Sequence, residues 1–520
     1  MLEAANQGFP ILSAIVITPL LAAVGLLFVP DDQRSVVRGV SLAGSALSAL
    51  ASAWLAWRYL VEAPQGGWLF VEHHELVPAL GISYTMACDG WSASLLLLTG
   101  IIIFAGTWAS FSLEERAREF FIFLLVLVAG VYGVFVAQDL FVFFLFYEIA
   151  VLPMFLLIGI WGSSGKVAAA GPFARAFRML DVGGREYAAM KLTLMLLVGS
   201  ALILASFLAM ALTAGSFLMD DIGNAALPFW LQWFAFPALW VGFGTLAGLW
   251  PFHTWSPDGH AAAPTAVSML HAGVLMKLGA FGVMRVGMVL LPDGATHWAF
   301  VVGSVACVNI FYGAMSAMSQ QDLKYIVAYS SVSHMGVVML GAATLTVTGW
   351  NGAIYQMFAH GVMTGLFFAL VGVLYDRTHD RWVPRMGGFA RIMPMVTVGF
   401  VVAGLSSLGM PGTAGFVSEF LVFLGAWEVR PWWAVIGVIG AFVTSIYVMK
   451  AVRAIFFGDG PPERFASLTD ATGTERVAPW VLGLCLVVFG AWPKFLLDMI
   501  DATTPGYLVP IFEAMARGAQ

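Results

Sequence analysis

The sequence is poor in charge and in cysteine. Lys, Arg, Asp and Glu make up 10% of its 520 residues, and the formal net charge is −6 at pH 7. Charges so few and so dispersed form no basic stripe to track a phosphate backbone, which argues against a nucleic-acid partner. The cysteines Cys88, Cys307 and Cys485 lie far apart, in or beside apolar runs. They show no C-x-x-C or Cys/His spacing and so signal neither a metal centre nor an iron–sulfur cluster. Also missing are a phosphate loop, a dinucleotide fingerprint, a haem ligand pair at recognisable spacing and any nucleophile–base constellation. No cofactor is expected in this chain, and no bond chemistry. The first apolar run, 10–28, follows Glu3 rather than a basic segment, so no cleavable leader is expected either.

What the sequence does contain is apolar. Hydrophobic residues account for 60% of it, and the mean hydropathy is +0.89. No soluble domain has that balance, and the runs are continuous rather than alternating, which excludes a barrel. The expected fold is an all-α polytopic membrane protein with about fourteen transmembrane helices, since ~20 apolar residues cross the hydrocarbon. The spans are read near 10–28, 36–57, 88–110, 118–137, 139–161, 188–213, 234–256, 263–289, 296–317, 322–345, 350–374, 394–426, 432–456 and 477–499. Basic residues gather in alternate loops, among them Arg34, Arg38, Arg116, Arg118, Arg377, Arg381, Arg385 and Arg391. The opposite loops show little beyond Arg58, Arg430, Lys494 and Arg517, so both termini are expected on the non-cytoplasmic side.

Two spans are interrupted. Residues 248–265, GLWPFHTWSPDGHAAAPT, carry Pro251, Pro257, Pro264 and Gly259 in an apolar region, and 408–419, LGMPGTAGFVSE, carry Gly409, Pro411, Gly412 and Gly415. Proline removes a helical hydrogen bond and glycine loosens the backbone, so both helices are expected to break at membrane depth. Broken backbone survives there only when buried in protein or lining a wet cavity. Interruptions at corresponding places in two halves point to inverted repeats. The chain then divides into an N-terminal part, 1–117, two five-helix repeats, 118–289 and 290–456, and a C-terminal part, 457–520.

On this map the titratable residues form a series. Glu148 sits mid-way along the fifth span, Lys191 begins the sixth, and His253 stands at the break of the seventh. His271 and Lys277 belong to the eighth, Lys324 and His334 to the tenth, His360 to the eleventh and Glu419 to the broken twelfth. A charge at bilayer depth costs roughly 2.5–3.5 kcal/mol on insertion scales, so a helix that keeps one usually uses it. Lys191 and Lys450 stand near span ends, from which long basic side chains snorkel, and Arg285 and Arg453 are expected to do the same. Taken together, the series from Glu148 through Lys191 to Glu419 is the material of a proton relay, because histidine and desolvated lysine or carboxylate groups exchange protons near neutral pH.

The segments FYEIAVLPMFLLIGIWG, REYAAMK, PFHTWSPDGHAAAPTAVSMLHAGVLMKLGAFGVMR, QQDLKYIVAYSSVSHMG, AHGVMTGLFFALVGVLYDRTHD and GMPGTAGFVSEF resemble the antiporter-like subunit M (chain 4) family of bacterial respiratory NADH–quinone oxidoreductase, complex I. The likeness runs from about residue 88 to 456. It implies fourteen helices, two inverted repeats and proton translocation in the inner membrane, beside other membrane-arm subunits and within lipid. NADH, FMN, iron–sulfur clusters and quinone would belong to other subunits. Glu148, Lys277, His334, His360 and Glu419 match the family's functional positions, and Lys191 and Lys324 fall on its basic ones. Mrp-type cation/proton antiporters and membrane-bound hydrogenases share this core, and a non-pumping structural copy is a further alternative.

Two departures stand out. The family pattern has a lysine in the seventh helix where this chain has Leu246, which leaves Glu148 without its usual partner. His271, or His253 with water, is expected to take over part of that task. The loop at 162–185 also looks like an insertion, whose basic and small residues suit an interfacial piece touching lipid or a neighbouring subunit.

Overall fold

In this computed structural model, residues 8–63, 67–163 and 184–518 are described. Most of the proposed insertion, 164–183, lies outside them. The helices are α1 (Ile11–Leu27), α2 (Arg34–Glu62), α3 (Gly90–Ala109), α4 (Ala117–Val136), α5 (Leu140–Trp161) and α6 (Arg185–Ala214). The seventh span is α7a (Phe229–Ala247) followed by α7b (Trp255–Ala262), and α8 runs from Thr265 to Met288. Then come α9 (Pro292–Ser319), α10 (Leu323–Ala343), α11 (Val347–Thr378), α12a (Pro394–Ser407), α12b (Ala414–Val429), α13 (Pro431–Phe456), α14 (Val477–Ala491) and α15 (Lys494–Gly518).

Acids and hydroxyls at the span ends set where several helices start. Asp89 accepts from Ser92 N at 2.8 Å to cap α3, and Asp322 accepts from Lys324 N at 2.9 Å to cap α10. Asp139 accepts from Phe141 N at 2.9 Å and Val142 N at 3.2 Å, capping α5. Its other oxygen takes Ser83 N at 2.8 Å, which ties α5 to an antiparallel hairpin of β1 (Leu69–Val77) and β2 (Ile82–Cys88). That hairpin fills part of the polar gap after α2. Its Glu72 accepts from Leu12 N at 2.8 Å and so anchors the start of α1.

Both expected interruptions are present. Helix α7a stops at Gly248 (φ +71°), and the chain passes Pro251 before turning helical again at Trp255. Helix α12a gives way to Gly409 (φ +65°) and Gly412 (φ +90°), left-handed backbone that only glycine adopts cheaply. Helix α8 adds a feature the sequence did not announce. It widens into π-helical turns at His271–Leu275 and Val283–Met288, on either side of an α-helical turn at Met276–Gly282 that carries Lys277.

The innermost layer is α8, α10 and α11. Over their most apolar windows α8 and α11 are 100% buried and α10 94%, whereas α13 is 33% buried and faces outward. Polar groups on these three helices are therefore kept from lipid by protein. One expectation is corrected: the span read at 477–499 does not run through. Helix α14 ends at Ala491 and Pro493 precedes a separate helix, because proline cannot donate the next helical hydrogen bond. Helix α15 packs against α3, α9 and α11, with Arg517 Nη2 2.9 Å from Asp293 Oδ1 and Asn351 Nδ2 2.7 Å from Asp501 Oδ1.

Candidate functional site

Four of the expected residues meet in one buried chain. Lys277 folds back along α8, its Nζ donating to the carbonyl of Ala272 in the preceding π turn and lying 2.7 Å from His360 Nδ1 on α11. The His360 ring is 5.3 Å, centre to centre, from that of His334 on α10. His334 Nδ1 stands 3.3 Å from Glu419 Oε1 on α12b, and its Nε2 is 3.2 Å from Ser407 Oγ at the end of α12a. The broken twelfth helix thus supplies a neighbour to each ring nitrogen of His334, one from each side of the break.

Gln356 orients this centre. Its Oε1 accepts from Ser418 Oγ, which turns Nε2 toward His334 Nδ1 at 3.2 Å. A neutral His334 then accepts on Nδ1 and keeps its proton on Nε2, facing Ser407. When His334 gains a second proton, Nδ1 becomes a donor with Glu419 as its acceptor. His334, His360, Lys277 and Glu419 are all buried, so the chain is shielded from lipid along its length.

A second group leads toward the protein surface. Lys324 Nζ donates to Ala263 O at 2.8 Å, just beyond α7b. Lys324 also lines a cavity of about 760 Å³ together with Glu114, Glu115, Asp376, His379 and Glu475. His260 is within electrostatic reach of both Lys324 and Lys277. Its ring stacks on His271 at 3.9 Å and on Phe368 at 5.1 Å, and His271 stacks in turn on Trp255 at 4.9 Å. No ring nitrogen of His260 or His271 has a hydrogen-bond partner among the described residues.

The first half of the chain is arranged differently. Glu148 is half-buried on α5, and its Oε1 is enclosed with no hydrogen-bond partner among the described residues. Leu246 is wholly buried and brings no charge. His271 lies in the aromatic stack, and no described contact joins it or His253 to Glu148, so the expected substitution for the missing lysine is not seen. His253 is buried, with no hydrogen-bond partner for either ring nitrogen among the described residues, and its ring is 4.9 Å from that of Tyr312. Lys191 instead pairs with Asp258 on α7b, Nζ to Oδ2 at 2.8 Å.

Arg285 does not snorkel. The π turn at the end of α8 points it inward, where Nη1 lies 2.5 Å from Asp89 Oδ2 and also bonds the Tyr507 hydroxyl, while Nη2 reaches Gln138 Oε1 at 3.3 Å. The Tyr507 hydroxyl donates to the same Asp89 oxygen at 2.5 Å. This cluster clamps α15 to α3 and α8. Removing one partner of a buried pair costs about 3–5 kcal/mol because the other charge is stranded. Arg285→Met is thus expected to lower the thermal unfolding midpoint of the purified protein sharply. Adding Asp89→Asn, which still caps α3, should recover much of the loss.

Asp258, His260 and Gln356 carry no expected role from the sequence, and Arg285 has one other than the role it plays. The first two stand inside the quoted stretch SPDGH, so a signal was present: polar residues inside a helix interruption. Among the described residues, no group of three or more His, Cys, Asp or Glu side chains is placed to hold a metal ion.

Comparison with known proteins agrees with this architecture. The family described as "NADH:quinone oxidoreductase/Mrp antiporter, TM" matches residues 137–444. NAD(P)H-quinone oxidoreductase chain 4 2 of Thermosynechococcus vestitus is 35% identical over 525 residues, covering 99% of this chain and 95% of that one. A chain of respiratory complex I from Thermus thermophilus superposes with a TM-score of 0.84 at 27% identity, covering 96% of this chain and 99% of that one. A chain of the Mrp complex from Dietzia sp. shares the fold, with a TM-score of 0.82 at 20% identity over 97% of this chain and 98% of that one. The chain belongs to the membrane-spanning NADH:quinone oxidoreductase/Mrp antiporter family.

Proposed function

We propose that this chain is a proton-translocating membrane-arm subunit of an NAD(P)H–quinone oxidoreductase. The observation that carries the proposal is the buried series Lys277–His360–His334–Glu419, with contacts of 2.7 Å at one end and 3.3 Å at the other. Imidazole is suited to this because it takes a proton on one nitrogen and releases one from the other. A proton enters through the cavity at Lys324, passes His260 to Lys277, and crosses His360 and His334 to Glu419. Water at the orphaned nitrogens of His260, and at the unpartnered Nε2 of His360, completes the gaps.

Redox chemistry belongs to other subunits in this reading, along with NADH, FMN, the iron–sulfur clusters and quinone. The chain contributes translocase activity to the whole and sits beside other membrane-arm subunits, neighbouring antiporter-like subunits among them, in the bacterial inner membrane. The repeats 118–289 and 290–456 each carry one break, at α7 and at α12, which supports their inverted pairing. In this reading the hairpin, α15 and both termini face the non-cytoplasmic side, which the basic residues of alternate loops support.

Glu148, Lys191 and His253 belong to the first repeat and serve it as the second-repeat chain serves its own half. Glu148→Gln tests this. In the complex reconstituted into liposomes, the number of protons moved per electron pair is expected to fall. An unchanged ratio would leave the first repeat as scaffold.

A further inference from the structure

Lys191 and Asp258 form the one lysine–carboxylate ion pair among the described residues. Its setting is unlike that of a structural clamp. Asp258 lies on α7b, a helix of 8 residues isolated by the break before it and by Pro264 after it, with Pro257 and Gly259 as its own neighbours. Lys191 comes from α6 in the first repeat. Asp258's other oxygen, Oδ1, accepts from the hydroxyl of Tyr325 at 2.9 Å, and Tyr325 comes from α10 in the second repeat. One carboxylate therefore bridges both halves. Its side chain is 21% exposed and that of Lys191 23%, whereas both members of the Arg285–Asp89 pair are 3% exposed.

We propose that Asp258 is a proton-binding gate that couples the two repeats. This rests on proton translocation by the chain. With Asp258 ionised, Oδ2 holds Lys191 and Oδ1 holds Tyr325, and α7b is pinned between α6 and α10. A proton delivered by water to the carboxylate makes a neutral acid, the ion pair is lost and Lys191 is released. Return of the proton to water restores the pair, and no other bond changes. The charged and titratable groups facing the site include Lys191 and, from the same helix, Tyr187, whose ring lies 5.7 Å from Nζ, together with Arg381, whose Nη1 donates to Ala261 O of α7b at 2.7 Å, and its partner Asp322. His253 at the break is within electrostatic reach of Lys191, and Tyr325 and Tyr329 face Asp258 from α10. Lys324 is the residue next to Tyr325, so a gate here stands beside the cavity that opens on Lys324.

The experiment compares Asp258→Asn, Asp258→Glu and the double variant Lys191→Met/Asp258→Asn in the whole complex in liposomes, reading protons moved per electron pair. Asp258→Asn is expected to lower the ratio and Asp258→Glu to restore most of it. The double variant strands no charge, so it should assemble yet share the defect of the single one. A wild-type ratio in Asp258→Asn or in the double variant would overturn the proposal. So would a double variant that fails to assemble, since the pair would then be a clamp. Lys277→Met is run alongside: if it pumps normally, the translocation reading itself falls, whereas if it alone is defective, only the gate does.

Discussion

Lys277→Met is expected to abolish proton movement through this subunit while leaving the helix in place. Methionine has a similar length and apolar stem, so packing on α8 is preserved, but the amine that lies 2.7 Å from His360 Nδ1 is gone. A positioned proton-transfer group contributes about 10²–10⁴-fold to a rate, and nothing else in the described structure reaches His360 Nδ1. Lys277→Arg should fail nearly as completely, for a different reason. Guanidinium stays protonated and delivers no proton onward. The pair of variants therefore separates loss of charge from loss of exchangeability, and initial rates of acidification inside liposomes report both.

The second large effect is expected at Glu419. Glu419→Gln keeps the shape, yet an amide cannot take the proton that His334 Nδ1 offers across 3.3 Å. Translocation should fall by about as much as for Lys277→Met, because the two groups act in series. Glu419→Asp, shorter by one methylene, should keep a measurable fraction, with a bridging water spanning the added gap. The break beside it adds a check on the geometry. A Cβ built on Gly409 would lie 2.8 Å from Glu419 Oε2, and the backbone there has φ +65°, so Gly409→Ala is strained twice over.

These residues could be read from the sequence to different degrees. Lys277, His334, His360 and Glu419 stand in long apolar runs, where a titratable group is conspicuous through its cost alone. The two interruptions were equally plain, because proline and glycine act on the backbone locally. Partnerships were not plain. Asp258 lies 67 positions from Lys191 and from Tyr325, and no periodicity says which helices a break will bring together. Arg285 illustrates the same limit. Its place near a span end suggested snorkelling, but the π turn at Val283–Met288 rotates it onto Asp89, 196 positions away. Backbone widening of that kind leaves no residue signature in VMRVGM. The final helix was misjudged because Pro493 divides an apolar stretch whose second half is amphipathic and packs across α3, α9 and α11.

The central claim is that Lys277 and Glu419 lie on one path. It is tested most directly by counting protons moved per electron pair in liposomes for Lys277→Met, Glu419→Gln and the double variant. A single path predicts that each single variant loses the whole share carried by this subunit and that the double variant loses no more. A normal ratio in either single variant, or a double variant well below both, would contradict it.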